Sequence, residues 1–331
     1  MKQIFKKNRL FIAIYLFPFC FMMFLLCDRT NYSITLPGNI SPIETSIVVD
    51  GAKDLSGSIN SIYVISFSHS TRFQNFLVNQ SKKINDIHEI NENDSSFSDY
   101  ENYLMGQIQK NQSNEASIIT AYLEASQSSS KIKLVYEFQG YIVHYYTKEN
   151  TTFQLGDIIV GVNGIQAKDD RILFEEILFN KDIERTCQVL RNDELIDIQV
   201  QTGGIYLYEK YIVDGNNSVP QFSFKADGTG GPSGGLLQTI YVYNNLIDED
   251  LTQGKIISGT GTINVDGSVG AIGGIKQKIY TALYNDVDVF FCPEANYEEA
   301  LKTYNDTQIP NDMHLVCVKT FSDAINYLRG I

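Results

Sequence analysis

Asp227-Gly228-Thr229-Gly230-Gly231-Pro232-Ser233-Gly234-Gly235 is the stretch around which the chain is organised. A serine stands among glycines where a helix begins, because Leu236, Leu237, Ile240, Tyr243 and Ile247 recur behind it at helical spacing. Further on, Gly273-Gly274-Ile275-Lys276-Gln277-Lys278 places lysines just inside a second helix, after a Gly-Gly turn. A serine hydroxyl is a poor nucleophile unless a base takes its proton. A lysine can do so only as the neutral amine, so its ordinary pKa of about 10.4 has to be lowered by burial or by positive neighbours. Reaching about 7.5 destabilises the charged form by roughly 4 kcal/mol. Glycines beside Ser233 let a substrate backbone approach closely, and outward-pointing amides at a helix start suit an oxyanion.

Other Gly-rich sites fit less well. The stretch lacks the G-K-[ST] ending of a P-loop, and it is not a G-x-G-x-x-G followed by an acid about 20 residues later. Gly231-Pro232-Ser233-Gly234-Gly235 does fit the G-x-S-x-G elbow of a Ser-His-Asp hydrolase. That reading would use His314, the sole downstream histidine, with Asp286 or Asp288 as the acid. The strand Gln221–Lys225 ends well before Gly231, and too little chain remains after it for the parallel sheet of that fold. The triad therefore ranks second, and His314 is read as a strand-edge residue.

Residues 203–331 alternate strands and helices. Strands are expected at Ile256–Ser258, Thr262–Val265, Ser268–Ile272, Val287–Cys292 and His314–Lys319, and helices at Lys276–Asn285, Tyr297–Tyr304 and Ser322–Leu328. They predict one sheet with flanking helices. Residues 127–202 read as a small β-domain after the linker Gln127–Ser130. It has strands Lys131–Phe138 and Gly140–Tyr146, the run Leu155-Gly156-Asp157-Ile158-Ile159-Val160-Gly161-Val162-Asn163-Gly164, a short helix Ile172–Leu178 and a closing hairpin, Arg185–Arg191 with Leu195–Gln201. Residues 30–126 form an opening α/β module: strands Ser46–Asp50 and Ile59–Ser68, a helix over Arg72–Ile90, a polar loop over Asn91–Ser98 and two further helices. Residues 1–29 read as a cytoplasmic tail and transmembrane anchor. Lys2, Lys6, Lys7 and Arg9 precede the uncharged run Leu10–Cys27. As a helix that run reaches about 27 Å, which would make a single-pass protein with its body outside the cell membrane. The overall class is α+β.

Formal net charge is −13. Beyond residue 29 the balance is 21 basic against 38 acidic side chains, which argues against nucleic acid as a partner. Five scattered cysteines form neither a disulfide framework nor a zinc motif. His69 and His88 have no second ligand at metal spacing. No cofactor and no metal are expected.

Two family resemblances rest on these residues. The L-x-G-D-x-I-x-x-V-N-G run, in its order of strands, resembles a bacterial PDZ domain over about 75 residues. That resemblance implies an extended peptide added along Gly140–Val143, next to Glu137-Phe138-Gln139. Gly231-Pro232-Ser233-Gly234-Gly235 resembles the G-P-S-A-G signature of Lon-type serine peptidases. Gly259-Thr260-Gly261-Thr262-Ile263 and Val265–Lys278 resemble the second signature of that family, and Phe290–Glu294 the strand after it. The resemblance implies Ser233 as nucleophile and Lys278, the last residue of G-G-[LI]-x-x-K, as base. It gives supporting roles to Thr260, Gly231 and Gly234, and makes Lys276 a solvated neighbour. At 100° per residue, Lys278 lies about 70° and Lys276 about 90° from the helix face of Ile275, Ile279 and Ala282, which separates them only weakly. The layout is similar to membrane-anchored, PDZ-containing Lon-like proteases of Gram-positive bacteria. It implies an ATP-independent serine endopeptidase acting on extracellular peptides or proteins, with secreted signalling peptides among the substrates of some relatives. Lon-like domains often form rings, so a homo-oligomer is an expected state. A non-catalytic PDZ surface scaffold is the alternative from another class.

Overall fold

The computed structural model describes residues 9–81, 84–91, 97–150, 152–180, 184–200, 204–226 and 228–331. The tail expected over residues 1–8, residues 92–96 of the expected polar loop, and Asp227 lie outside the described residues. The chain begins with α1 (Arg9–Cys27), β1 (Tyr32–Pro42), β2 (Ile47–Val49), β3 (Ser58–Phe67), α2 (Arg72–Asn79), β4 (Asp86–Glu89) and α3 (Asp99–Ser128). Next come β5 (Lys133–Tyr146), β6 (Ile158–Val162), β7 (Ile165–Gln166), α4 (Arg171–Phe179), β8 (Arg185–Arg191), β9 (Glu194–Val200) and β10 (Ile205–Val219). It closes with β11 (Phe222–Phe224), α5 (Gly235–Leu246), β12 (Ile256–Gly259), β13 (Thr262–Ile263), β14 (Val269–Gly270), α6 (Ile275–Tyr284), β15 (Val289–Pro293), α7 (Glu294–Asp306), β16 (His314–Val318) and α8 (Phe321–Arg329).

The expected membrane anchor is corrected here. No helix among the described residues is long and apolar enough to cross a membrane. The end of α1 is held by the chain itself: the Arg72 guanidinium lies 5.2 Å from the Phe24 ring centroid and pairs with Asp28. The single-pass, extracellular placement falls with the anchor, and the fold is a mixed α/β chain.

One six-stranded sheet runs β16-β15-β12-β3-β1-β4. β16, β15, β12 and β3 are mutually parallel, whereas β1 and β4 add antiparallel. Strands from the opening hundred residues thus complete the sheet of the C-terminal part, with Ser58 and Ile59 opposite Ile256 and Ile257. The helix expected over Arg72–Ile90 stops at Asn79, and Asp86–Glu89 instead pairs with Tyr32–Thr35. Two helices expected after residue 98 are one, α3, begun by a capping box between Ser98 and Glu101.

The second sheet, β10-β5-β6-β8-β9, is antiparallel throughout and has its own core around Val143, Ile159, Phe174 and Val189. It is inserted between α3 and β11, two elements that belong to the larger core. β11 pairs with β2, and the Tyr122 ring on α3 meets Phe222 at 5.5 Å while its hydroxyl donates to Pro220 O at 2.7 Å. Ile118, Ala121 and Ala125 of α3 pack in one cluster with Leu236, Leu237 and Ile240 of α5. Each fully buried Leu or Ile there contributes roughly 1.5–3 kcal/mol. This packing seats α3 against the start of α5, where Ser233 lies.

Candidate active site

Ligands of open α/β sheets gather beyond the carboxyl ends of parallel strands. The chain leaves β12 at that end through Gly259, Thr260 and Gly261, and the Ser233 turn is stitched to it. Gly261 N donates to Ser233 O at 2.9 Å, Thr260 Oγ1 donates to the same oxygen at 3.1 Å, and Leu236 N donates to Gly261 O at 3.1 Å. On the far side, Thr260 N donates to Phe291 O at 2.9 Å. Lys278 on α6 completes the group: its Nζ donates to Thr260 Oγ1 at 2.9 Å. One threonine hydroxyl therefore receives from the lysine amine and donates to the carbonyl of the serine residue.

Lys278 is only 2% exposed. It stands on a helix whose Ile275, Ile279 and Ala282 pack with Ile62, Phe290 and Cys292. Burial pushes its amine down to about 7, because the charged form loses its hydration in the interior. Among the described residues no carboxylate pairs with it. The neighbouring Cys292 thiol, itself pushed up to about 12 by burial, stays neutral near pH 7 and supplies no counter-charge. Lys276, two residues away, turns elsewhere: its amine pairs with Asp86 and donates to Asn85 O at 3.2 Å. The solvated neighbour is in fact a half-buried ion pair onto β4.

The loop carrying Ser233 is held from α3. Gly231 N donates to Gly106 O at 2.8 Å, Gln107 Nε2 to Thr229 O at 3.2 Å, and Ser113 Oγ to Pro232 O at 3.0 Å. Lys110 also bonds the Thr229 hydroxyl, and Ser117 Oγ donates to Gly235 O at 3.0 Å. Residues 106, 110, 113 and 117 fall on one face at helical spacing; that stripe is legible in the sequence, but the loop it holds is not. Gly231 has φ +84°, a conformation that excludes ordinary side chains. Gly235 is required for space: a Cβ there would meet Ser113 Oγ at 2.6 Å and Ile263 Cγ2 at 2.8 Å. Gly234 is less constrained, with its nearest neighbour, Ser61 Cβ, at 3.7 Å, so the alanine usual in the resembling signature fits. The backbone N–H groups of Ser233 and Gly234, ahead of the first turn of α5, are donated to no carbonyl among the described residues. Ser233 itself is half-buried.

The structure does not bring His314 to this group. It opens β16 opposite Val289, at the amino end of the parallel strands, and its Nδ1 lies 2.7 Å from the Tyr327 hydroxyl. Asp288 is spent on the backbone, accepting from Ile256 N at 2.7 Å. The strand edge expected to receive a peptide is also taken. β5 is one continuous strand, and β10 pairs with it through Lys210, Glu209, Tyr208 and Leu207 opposite Gly140, Tyr141, Ile142 and Val143. Arg171 of α4 reaches over to Glu209 and to the Tyr211 hydroxyl.

Comparison with known proteins covers the same segment. Residues 219–329 match the model of the Lon protease (S16) C-terminal proteolytic domain. The Lon protease of Campylobacter jejuni subsp. jejuni is 28% identical to this chain over 143 residues, covering 40% of the chain and 17% of that protein. The chain thus spans well under two-thirds of that relative. Ser233, Thr260 and Lys278, joined by hydrogen bonds, all fall inside the matched segment, so residues 219–329 carry a Lon-type (S16) serine peptidase domain.

Proposed function

We propose that the chain is an ATP-independent serine endopeptidase in which Ser233 and Lys278 form the catalytic dyad. The observation that carries this reading is the buried Lys278 amine, desolvated, without a carboxylate partner among the described residues, and tied through Thr260 to the Ser233 backbone. The neutral amine takes the proton of the Ser233 hydroxyl as the oxygen attacks the peptide carbonyl. The amide N–H groups of Ser233 and Gly234 donate to the developing oxyanion. Lys278, now an ammonium, returns the proton to the leaving amine, and an acyl-enzyme remains on Ser233. Water, deprotonated by the same lysine, then releases the acid product. Thr260 orients the amine throughout.

ATP independence is the reading suggested by the resemblance to the Lon-like proteases. The substrate is an extended peptide or protein segment, and a signalling peptide is the type suggested by the resemblance. A PDZ-type scaffold formed by residues 127–202 and acting through the Gly140–Val143 edge would first have to expel β10. The test is direct. The purified chain, with no nucleotide added, is expected to cut an unstructured peptide, and a fluorophosphonate probe should leave its mass on Ser233 alone. No cleavage, or an adduct on another residue with Ser233 unmodified, would refute the reading.

A further inference from the structure

A cavity of about 370 Å³ lies between α3, β10 and the hairpin of β13 and β14, within the range of about 300–1,000 Å³ usual for ligand pockets. Pro232, the residue before Ser233, lines it, so it adjoins the nucleophile. Ala116 and Ser113 contribute one side, and Ile263 and Val265 another. Its remaining wall comes from the inserted sheet: Tyr208 and Tyr211 of β10 face the cleft. Tyr208 is backed by the His144 ring, stacked at 3.8 Å, and Tyr211 by Phe138 at 5.4 Å, so neither ring is a loose surface side chain. β10 is itself fixed to α3, since Glu115 takes Lys210 on one oxygen and Tyr211 N, at 3.2 Å, on the other.

The charge on the lining is already engaged. Glu209 binds Arg171 and accepts from the Tyr211 hydroxyl at 2.6 Å, and Asp266 accepts from Ser268 N at 2.9 Å and its hydroxyl at 2.6 Å. No lysine or arginine is among the lining residues. An acidic side chain entering this space would meet two carboxylates and no cation, and would lose its hydration without compensation. An apolar side chain would meet the rings of Tyr208 and Tyr211 and the aliphatic groups of Ile263 and Val265, beside the neutral amides of Gln109, Gln112 and Asn264.

We infer that this cavity is a side-chain subsite of the peptidase, taking an aromatic or branched aliphatic residue of the substrate near the scissile bond, and that the inserted sheet, through Tyr208 and Tyr211, sets what is cut. The inference rests on Ser233 as the nucleophile. It makes residues 133–219 a wall of the catalytic cleft, a different role from presenting peptides at a distant edge.

Two variants of the full chain act on opposite walls: Ala116→Leu fills the cavity and Tyr208→Ala opens it. Both are checked for folding by thermal melting and assayed on a peptide series carrying Phe, Leu, Ala or Asp at each position in turn. The wild type is expected to prefer Phe or Leu over Asp by at least about tenfold in kcat/KM at one position. Ala116→Leu should move that preference to Ala, and Tyr208→Ala should flatten it by a similar factor. Fluorophosphonate labelling of Ser233, which needs no subsite, should keep its wild-type rate in both. An unchanged peptide preference in both folded variants would overturn the subsite while leaving the dyad intact. Loss of labelling in the wild type would overturn the dyad and the subsite together.

Discussion

Replacing Ser233 by alanine, or Lys278 by alanine, is expected to lower peptide turnover by at least about 1,000-fold, because members of one nucleophile–base unit fail together and not in increments. The two substitutions combined should cost no more than either alone. Lys278→Arg should be equally inactive: a guanidinium cannot deprotonate near neutral pH, so it offers charge where the reaction needs a lone pair. Lys276→Ala is the control. Its amine pairs with Asp86, whereas that of Lys278 bonds Thr260, and turnover should stay within about threefold of wild type, the scale of losing one partly exposed ion pair. Steady-state hydrolysis of one peptide by all these variants decides the matter. Near-normal turnover in Lys278→Ala would remove the lysine from the mechanism.

Lys278→Met should stabilise the protein at neutral and mildly acidic pH, and the gain should shrink as pH rises. In the native state the amine titrates at about 7, while in the unfolded chain it titrates at about 10.4. Between those values the unfolded state holds a proton that the folded state has lost, so wild-type stability climbs with pH across that interval. Below pH 7 the wild type folds with its buried ammonium at full penalty. Methionine has nearly the same length and no charge, and gives up only the bond to Thr260. From pH 6 to pH 9 the stability gap between variant and wild type should narrow by about 2–3 kcal/mol. Urea unfolding of both proteins at several pH values measures it. A gap independent of pH would mean that the lysine keeps its ordinary pKa when folded.

Much of the site is written locally. The glycines around Ser233, the threonine after β12 and the Gly-Gly turn before α6 each sit in a short pattern of their own, so their chemistry is legible one pattern at a time. The choice between Lys276 and Lys278 is not: helical geometry puts both beside the apolar face, and only the packing of Phe290 and Cys292 against α6 decides which amine is desolvated. The buttress from α3 was hidden because Gly106, Ser113 and Ser117 lie more than a hundred residues before the loop they hold. The insertion of the second sheet has the same cause. Nothing local in Ser58–Phe67 says that it will pair in parallel with Ile256 and Ile257. β10 carries Asp214-Gly215 inside it, a turn dipeptide that hides one long strand, and it fills the edge that the PDZ resemblance leaves open. The anchor shows the reverse error: an apolar run is legible at once, but composition alone does not make a membrane span.

The central claim is that a neutral lysine activates Ser233. It is tested most directly by the pH dependence of the rate at which a small fluorophosphonate labels Ser233 in the wild type and in Lys278→Ala. The account predicts a wild-type rate that rises with pH to a plateau, half-maximal near pH 7, and a rate in the variant that is at least about 100-fold lower on the plateau with no such step. A wild-type midpoint near pH 10, or a variant that retains the wild-type profile, would contradict it.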